Sequence, residues 1–204
     1  MREIEAKFFV SRLELVRRRA IRLGGRLTAR RHLESNLHFD LPGDPLAKQH
    51  SLLRLRQDKA TTLAYKHRGR FIESREEFEL RVADSAAAVA LLTALGYRVV
   101  ASYEKYRREY SLGPVQVMLD ELPFGNFVEI EGPTLQLVRR QAGRLGLAWT
   151  HRVRSTYLEL LDQLRQQHSL RFREGSFDRF AALPEARADR IGLRDAIRPE
   201  ADDR

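Results

Sequence analysis

The sequence predicts an α+β protein whose main element is one large antiparallel sheet, rolled into a closed β-barrel with a charged interior. Three observations carry this expectation. Roughly eight short runs alternate with period two, as strands do. Four longer runs space their apolar residues for helices, and three of these end in Leu-Gly. The alternating runs place charge on one parity and apolar side chains on the other.

The chain has 204 residues, 43% of them hydrophobic and 32% charged. That is enough for one core and leaves many charges to place. Net charge is +9, from 37 Lys+Arg against 28 Asp+Glu, and only five of the bases are lysine. Such a balance suits an anionic partner; a basic solvated surface is the plainer alternative. There is no cysteine, which excludes disulfides, thiolate catalysis and Cys-type zinc sites. The first residues resemble no signal peptide, and no segment is apolar enough to span a membrane. A cytoplasmic protein is expected, without a membrane partner.

Taken in order, Glu3 to Val10 alternate and form a first strand. Ser11-Arg12-Leu13-Glu14 has the spacing of a capping box. Leu13, Val16, Ala20 and Leu23 continue as an amphipathic helix that Gly24-Gly25 end. Strands are expected over 34–40, 52–57, 62–68 and 71–81, with a loop at 42–45 and a hairpin turn at Arg68-Gly69-Arg70. Asp84 caps an Ala-rich helix reaching Leu95. Further strands fall at 97–112, 115–121 and 127–131, and further helices at 134–145 and 155–168. The Leu-Gly helix ends hint at two related halves. Residues 1–168 read as one domain. Residues 169–204 lose periodicity and read as a peripheral, partly disordered tail that Phe172, Phe177 and Phe180 could dock.

The strand faces carry the functional reading. Glu3, Glu5 and Lys7 share a parity, as do Arg54 with Arg56, Lys66 with Arg68, and Lys105 with Arg107 and Glu109. So do Glu73, Arg75, Glu77, Glu79 and Arg81; Met118 with Asp120; and Glu129 with Glu131. A half-solvated sheet would also alternate. Two features favour a charged interior instead: neutral polar residues are scarce on these faces, and acids concentrate on the first and last strands with bases between. If a barrel brings those two strands together, Glu3, Glu5, Glu129 and Glu131 converge. Carboxylates so close require a cation, and oxygen ligands alone select a hard one, Mg²⁺ or Mn²⁺. Arg54, Arg56, Lys66, Lys105 and Arg107 would form the opposing cationic wall, suited to phosphate oxygens. A triphosphate requires both sides.

These residues resemble the CYTH family of triphosphate tunnel metalloenzymes, which includes class IV adenylyl cyclases, thiamine triphosphatases and inorganic triphosphatases. The match runs from Glu3-Ile4-Glu5-Ala6-Lys7 through His38-Phe39-Asp40, Leu53-Arg54-Leu55-Arg56, Ala64-Tyr65-Lys66 and Glu77-Phe78-Glu79. It continues through Lys105-Tyr106-Arg107, Leu119-Asp120 and Gly125-Asn126-Phe127-Val128-Glu129-Ile130-Glu131, and Tyr157-Leu158-Glu159-Leu160-Leu161 resembles the helix that closes such domains. The resemblance implies an eight-stranded antiparallel tunnel with Glu3, Glu5, Asp120, Glu129 and Glu131 as metal ligands. It implies Lys7, Arg54, Arg56, Lys66, Lys105 and Arg107 as phosphate-binding bases, Glu77 and Glu79 as further lumen acids, and Glu5, Asp120 and Lys66 as the catalytic set. One departure stands out. Some inorganic triphosphatases use a lysine on the C-terminal helix to assist water, and 151–170 contains none. Arginine is no base at neutral pH, so the metal is the default activator.

Three functions compete. A triphosphatase would place water in line with the terminal phosphorus of tripolyphosphate, ATP or thiamine triphosphate. A class IV adenylyl cyclase would attack the α-phosphorus of ATP with a ribose hydroxyl, releasing cyclic AMP and pyrophosphate. A non-enzymatic binder would hold polyphosphate or nucleotide. Nucleic acid is disfavoured because the face acids would repel its backbone. A homodimer is compatible with all three.

Overall fold

The computed structural model describes the backbone of residues 4–68 and 75–198, and their side chains except at 68 and 75–77. Glu3, Glu73 and the expected turn at Arg68-Gly69-Arg70 lie outside this description. The elements run β1 (Ile4–Val10), α1 (Leu13–Arg22), β2 (Arg26–Asp40), α2 (Pro45–Lys48), β3 (Ser51–Gln57), β4 (Thr61–Arg68) and β5 (Arg75–Val82). They continue as α3 (Ser85–Ala94), β6 (Arg98–Leu112), β7 (Val115–Leu122), β8 (Gly125–Gly132), α4 (Leu135–Arg144), β9 (Arg152–Val153), α5 (Tyr157–Gln167), β10 (Glu174–Gly175) and α6 (Phe177–Phe180).

The fold is α+β, with one sheet in the order β5-β4-β3-β2-β6-β7-β8-β1-β9. All its long strands pair antiparallel. The first long strand does lie beside the last: Glu5 faces Glu131 and Lys7 faces Glu129 across β1 and β8. The expected closure differs in one respect. Among the described residues no hydrogen-bonded ladder joins β5 to β1 or β9, so the sheet is not closed by hydrogen bonds.

The helices follow their sequence signals with one exception. Asp84 accepts from the Ala86 and Ala87 amides at the start of α3. Thr156 and Glu159 form a reciprocal capping box on α5. The capping box expected on α1 does not form: its N-cap is Arg12 and carries no side-chain cap. Ser11 instead donates to Asp195, and Glu14 is held by Arg17 at 2.6 and 2.7 Å and by Arg18. Ion pairing has outcompeted the cap. The Leu-Gly ends of α1, α3 and α4 all require the left-handed conformation, with φ of 83° at Gly24, 90° at Gly96 and 72° at Gly146.

Apolar parities of the strands meet helices on the outer face. Phe8, Val117, Leu119, Val128 and Ile130 bury against Val16 and Ala20 of α1 and Val138 and Ala142 of α4. Phe39, Leu53 and Leu55 bury against Ala88 and Leu92 of α3. Trp149 packs against Phe8 and under Arg152. At one end of the charged inner face, α5 fills the space with Tyr157, Leu160, Leu161 and Leu164, against Phe9, Tyr103 and Phe127.

Residues 169–198 make specific contacts with the sheet and α5. β10 pairs in parallel with β6, and Phe180, Ala186, Ala188 and Ala196 are buried. The Ala196 amide donates to the Phe9 carbonyl and the Ala188 amide to the Phe124 carbonyl. This segment has few large apolar residues because alanines fill narrow gaps and the backbone supplies the bonds. No helix among the described residues is long and apolar enough to cross a membrane.

Candidate active site

Register places the charged parities on one face. Arg56 pairs with Asn36 and Thr62, and Arg54 with His38 and Ala64. Lys66 faces Glu77, and Glu79 faces Ala64. Glu34 faces Lys105. Arg107 faces Asp120, Met118 faces Glu129, and Lys7 faces Glu129. The face therefore gathers side chains from all eight long strands, acids densest on β1 and β8.

Its buried centre is an ion network. Asp120, fully buried, accepts from Arg107 Nε at 2.7 Å, Arg107 Nη2 at 2.6 Å, Lys105 Nζ at 3.1 Å and Tyr157 Oη at 3.0 Å. Lys105, 2% exposed, also pairs with Glu34 at 3.3 Å. Arg107 Nη2 bridges on to Glu129, whose other oxygen lies 3.5 Å from Lys7 Nζ. Lys7 donates to the Ser155 carbonyl at 3.2 Å and sits 4.0 Å over the Tyr157 ring. Helix α5 is thus tied to both β1 and β7.

Burial opposes charge throughout this network, and the neighbours overcome it. Burial raises the carboxyls of Glu34 and Glu129. Lys105, Arg107 and Arg54 nonetheless pull Glu34 to about 2, and Lys105, Lys7 and Arg107 hold Glu129 well below the usual range. Burial and Arg107 pull Lys105 down, but Asp120, Glu34 and Glu129 leave it raised. Burial, with Asp120 and Glu129 beside it, pushes the Tyr157 hydroxyl well up, so it stays a donor.

Of the expected site residues, Lys7, Lys105, Arg107, Asp120 and Glu129 come together in this network. Arg56 lies apart, paired with Asp58 at 3.8 Å and Glu79 at 3.5 Å. Arg54 lies close enough to Glu34 and His38 to act on their charge. Glu5 is exposed and faces Glu131. The Glu77 side chain lies outside the described residues. Sequence reading missed Glu34, Asn36, His38, Tyr103 and Tyr157 as members of this face. The parity Glu34-Asn36-His38 was the available signal on β2. Asp40, in the same motif, serves structure: it accepts from the Leu41, Leu46 and Ala47 amides and anchors α2.

For the cation, the donor chemistry fits. Glu5, Glu129 and Glu131 offer only oxygen, on one face of two adjacent strands. Among the described residues no three His, Asp or Glu side chains form a ready cluster.

His38 should make the protein acid-sensitive. Burial, then Arg54, lowers its imidazole from 6.5 to about 3. The unfolded chain therefore binds one more proton between those values, and stability falls as pH drops below about 6.5. Glu34, lowered from 4.5 to about 2, adds a further loss below about 4.5. Thermal melts across this range should show a falling melting temperature, and His38→Phe should flatten the upper part of the window. An unchanged slope in the variant would show that His38 does not carry it.

A charged, all-strand inner face backed by helices and capped at one end by a helix defines the class of fold. The family model described as the CYTH domain matches residues 1–136, and the chain belongs to the CYTH family. No curated protein matches it. A candidate adenylate cyclase from Vibrio parahaemolyticus shares the fold at 22% identity and TM-score 0.72, covering 79% of this chain and 98% of that one. A protein of Pyrococcus horikoshii OT3 is 28% identical, with TM-score 0.67 and coverage of 77% and 98%. A candidate adenylyl cyclase from Hippeastrum, described as having a dominant triphosphatase activity, is 20% identical over 72% of this chain and 88% of that one, with TM-score 0.52.

Proposed function

We propose that this protein is a divalent-metal-dependent triphosphate phosphohydrolase. Family membership supports an enzyme acting on triphosphates and implies a divalent cation; hydrolysis, and Mg²⁺ or Mn²⁺ as the ion, are the finer reading. The observation that carries it is one inner face on which Glu5 and Glu131 face each other across β1 and β8 while Arg54 and Arg56 on β3 and Lys66 on β4 share the same face.

Glu5 and Glu131, with Glu129 and Glu3 beside them in sequence, would hold the cation. When bound, it would neutralise phosphate charge and lower the pKa of a water. Arg54, Arg56 and Lys66 supply the phosphate grip. Arg107 spends three of its five donors on Asp120 and Glu129, which leaves two for a phosphate oxygen. Asp120 keeps Arg107 and Lys105 ionised and pointed, so the grip is preorganised rather than assembled on binding. Helix α5 closes one end of the face and excludes water there.

Tripolyphosphate, ATP and thiamine triphosphate, each with Mg²⁺, Mn²⁺ or chelator, test the proposal. Metal-dependent orthophosphate release without cyclic nucleotide is expected. Cyclic AMP with equimolar pyrophosphate would replace hydrolase with cyclase. Arg56→Ala should weaken tripolyphosphate binding on the order of tenfold, with a smaller effect on pyrophosphate. Equal losses would argue against a grip on the chain end.

A further inference from the structure

Most buried polar atoms find a partner, because leaving one bare costs free energy. Among the described residues, five side chains on this inner face leave a buried polar atom bare: Arg54 and Arg56 at Nε, and three uncharged ones. His38, 3% exposed, has no partner for either ring nitrogen. Asn36 is fully buried and its Oδ1 is bare, while its amide nitrogen donates to Glu34 at 3.0 Å. That donation fixes which way the amide points. Thr62, 5% exposed, has a bare hydroxyl.

The three sit together. Asn36, Arg56 and Thr62 form one cross-strand row through β2, β3 and β4, and His38 with Arg54 begins the next. The orphaned atoms therefore flank the two arginines of the proposed phosphate grip. The His38 ring is held by stacking on Tyr103, with centroids 5.5 Å apart. Burial and Arg54 keep it neutral, so it offers one donor and one acceptor.

A triphosphate alone cannot satisfy this set. Its ionised oxygens accept hydrogen bonds, whereas Asn36 Oδ1 and the unprotonated ring nitrogen of His38 also accept. Their complement must carry N–H or O–H donors. Resting on the triphosphatase reading, we infer that Asn36, His38 and Thr62 form a neutral subsite for the organic part of the substrate. The substrate class is then an organic triphosphate whose base or heterocycle presents hydrogen-bond donors, rather than inorganic tripolyphosphate. A neutral polar subsite beside a cationic grip discriminates by hydrogen bonding, which rejects analogues lacking the group more strongly than packing does.

The test uses His38→Phe, which keeps a ring against Tyr103, and Thr62→Val, which keeps the shape and removes the hydroxyl. Affinities for ATP, thiamine triphosphate and tripolyphosphate are measured by calorimetry in the presence of chelator, so that turnover plays no part, and melting temperatures are measured alongside. The wild type should bind at least one organic triphosphate more tightly than tripolyphosphate. Both variants should lose affinity for it by about tenfold, bind tripolyphosphate within about twofold, and melt no lower than wild type at neutral pH, since each removes an unpaired buried polar group. Equal losses on every ligand, unchanged affinities, or a lower melting temperature in both variants would overturn the inference and leave a buried water as the occupant. If tripolyphosphate itself fails to bind the wild type, the triphosphate reading falls first. If it binds and neither organic triphosphate binds better, only this inference falls.

Discussion

Asp120→Ala should destabilise the protein by about 3–5 kcal/mol, the cost of removing one partner from a buried ion pair. Asp120 is the acceptor on which Lys105, Arg107 and Tyr157 converge. Removing it leaves Lys105 with Glu34 alone and drives Arg107 wholly onto Glu129. The two cations would repel in a largely buried site. Asp120→Asn should recover part of the loss, because the amide keeps one acceptor and the shape but not the charge. The resemblance assigns Asp120 to the metal or to catalysis, whereas the geometry spends its oxygens on four donors. Chemical denaturation of metal-free protein separates the two. Full stability in Asp120→Asn together with lost turnover would restore the catalytic assignment.

Glu5→Ala should lower metal-dependent turnover by about a hundredfold or more, with the melting temperature of metal-free protein unchanged. Glu5 is exposed and faces Glu131. Two carboxylates opposed across neighbouring strands repel unless a cation lies between them. Removing the exposed Glu5 therefore leaves the metal-free fold intact and costs affinity only when metal is present. Excess Mn²⁺ should restore part of the rate, since Glu129 and Glu131 remain. Wild-type turnover at limiting metal would remove Glu5 from the ligand set. Glu129→Ala is a less clean probe, because Glu129 also holds Lys7 and Arg107.

Much of this face was legible in the sequence because period two survives wherever one parity is charged. Glu5 and Lys7 on β1, Lys105 and Arg107 on β6, and Glu129 and Glu131 on β8 follow from alternation alone. The β2 segment was harder. Glu34, Asn36 and His38 share a face, but Ser35 interrupts the apolar parity opposite, and the β2–β6 register shifts three times along the strand. Register between distant strands is not written locally, so parity shows that Asp120 points inward but not that three side chains from β6 and α5 will aim donors at it. Tyr157 was visible only as part of a helix signature. Its role arises because α5 returns onto the inner face. The missing cap on α1 has a partly similar cause: Ser11 bonds Asp195, which only the folded chain brings near, whereas Glu14 pairs locally with Arg17 one turn along the helix.

The most direct test of the central claim is a crystal of the protein with tripolyphosphate and Mn²⁺, read by anomalous scattering at the manganese edge. A manganese peak bonded to carboxylate oxygens of β1 and β8, Glu5 and Glu131 foremost, with the phosphate chain extending toward Arg54 and Arg56, is the predicted result. A chain bound outside the inner face, or manganese bound away from both strands, would contradict it.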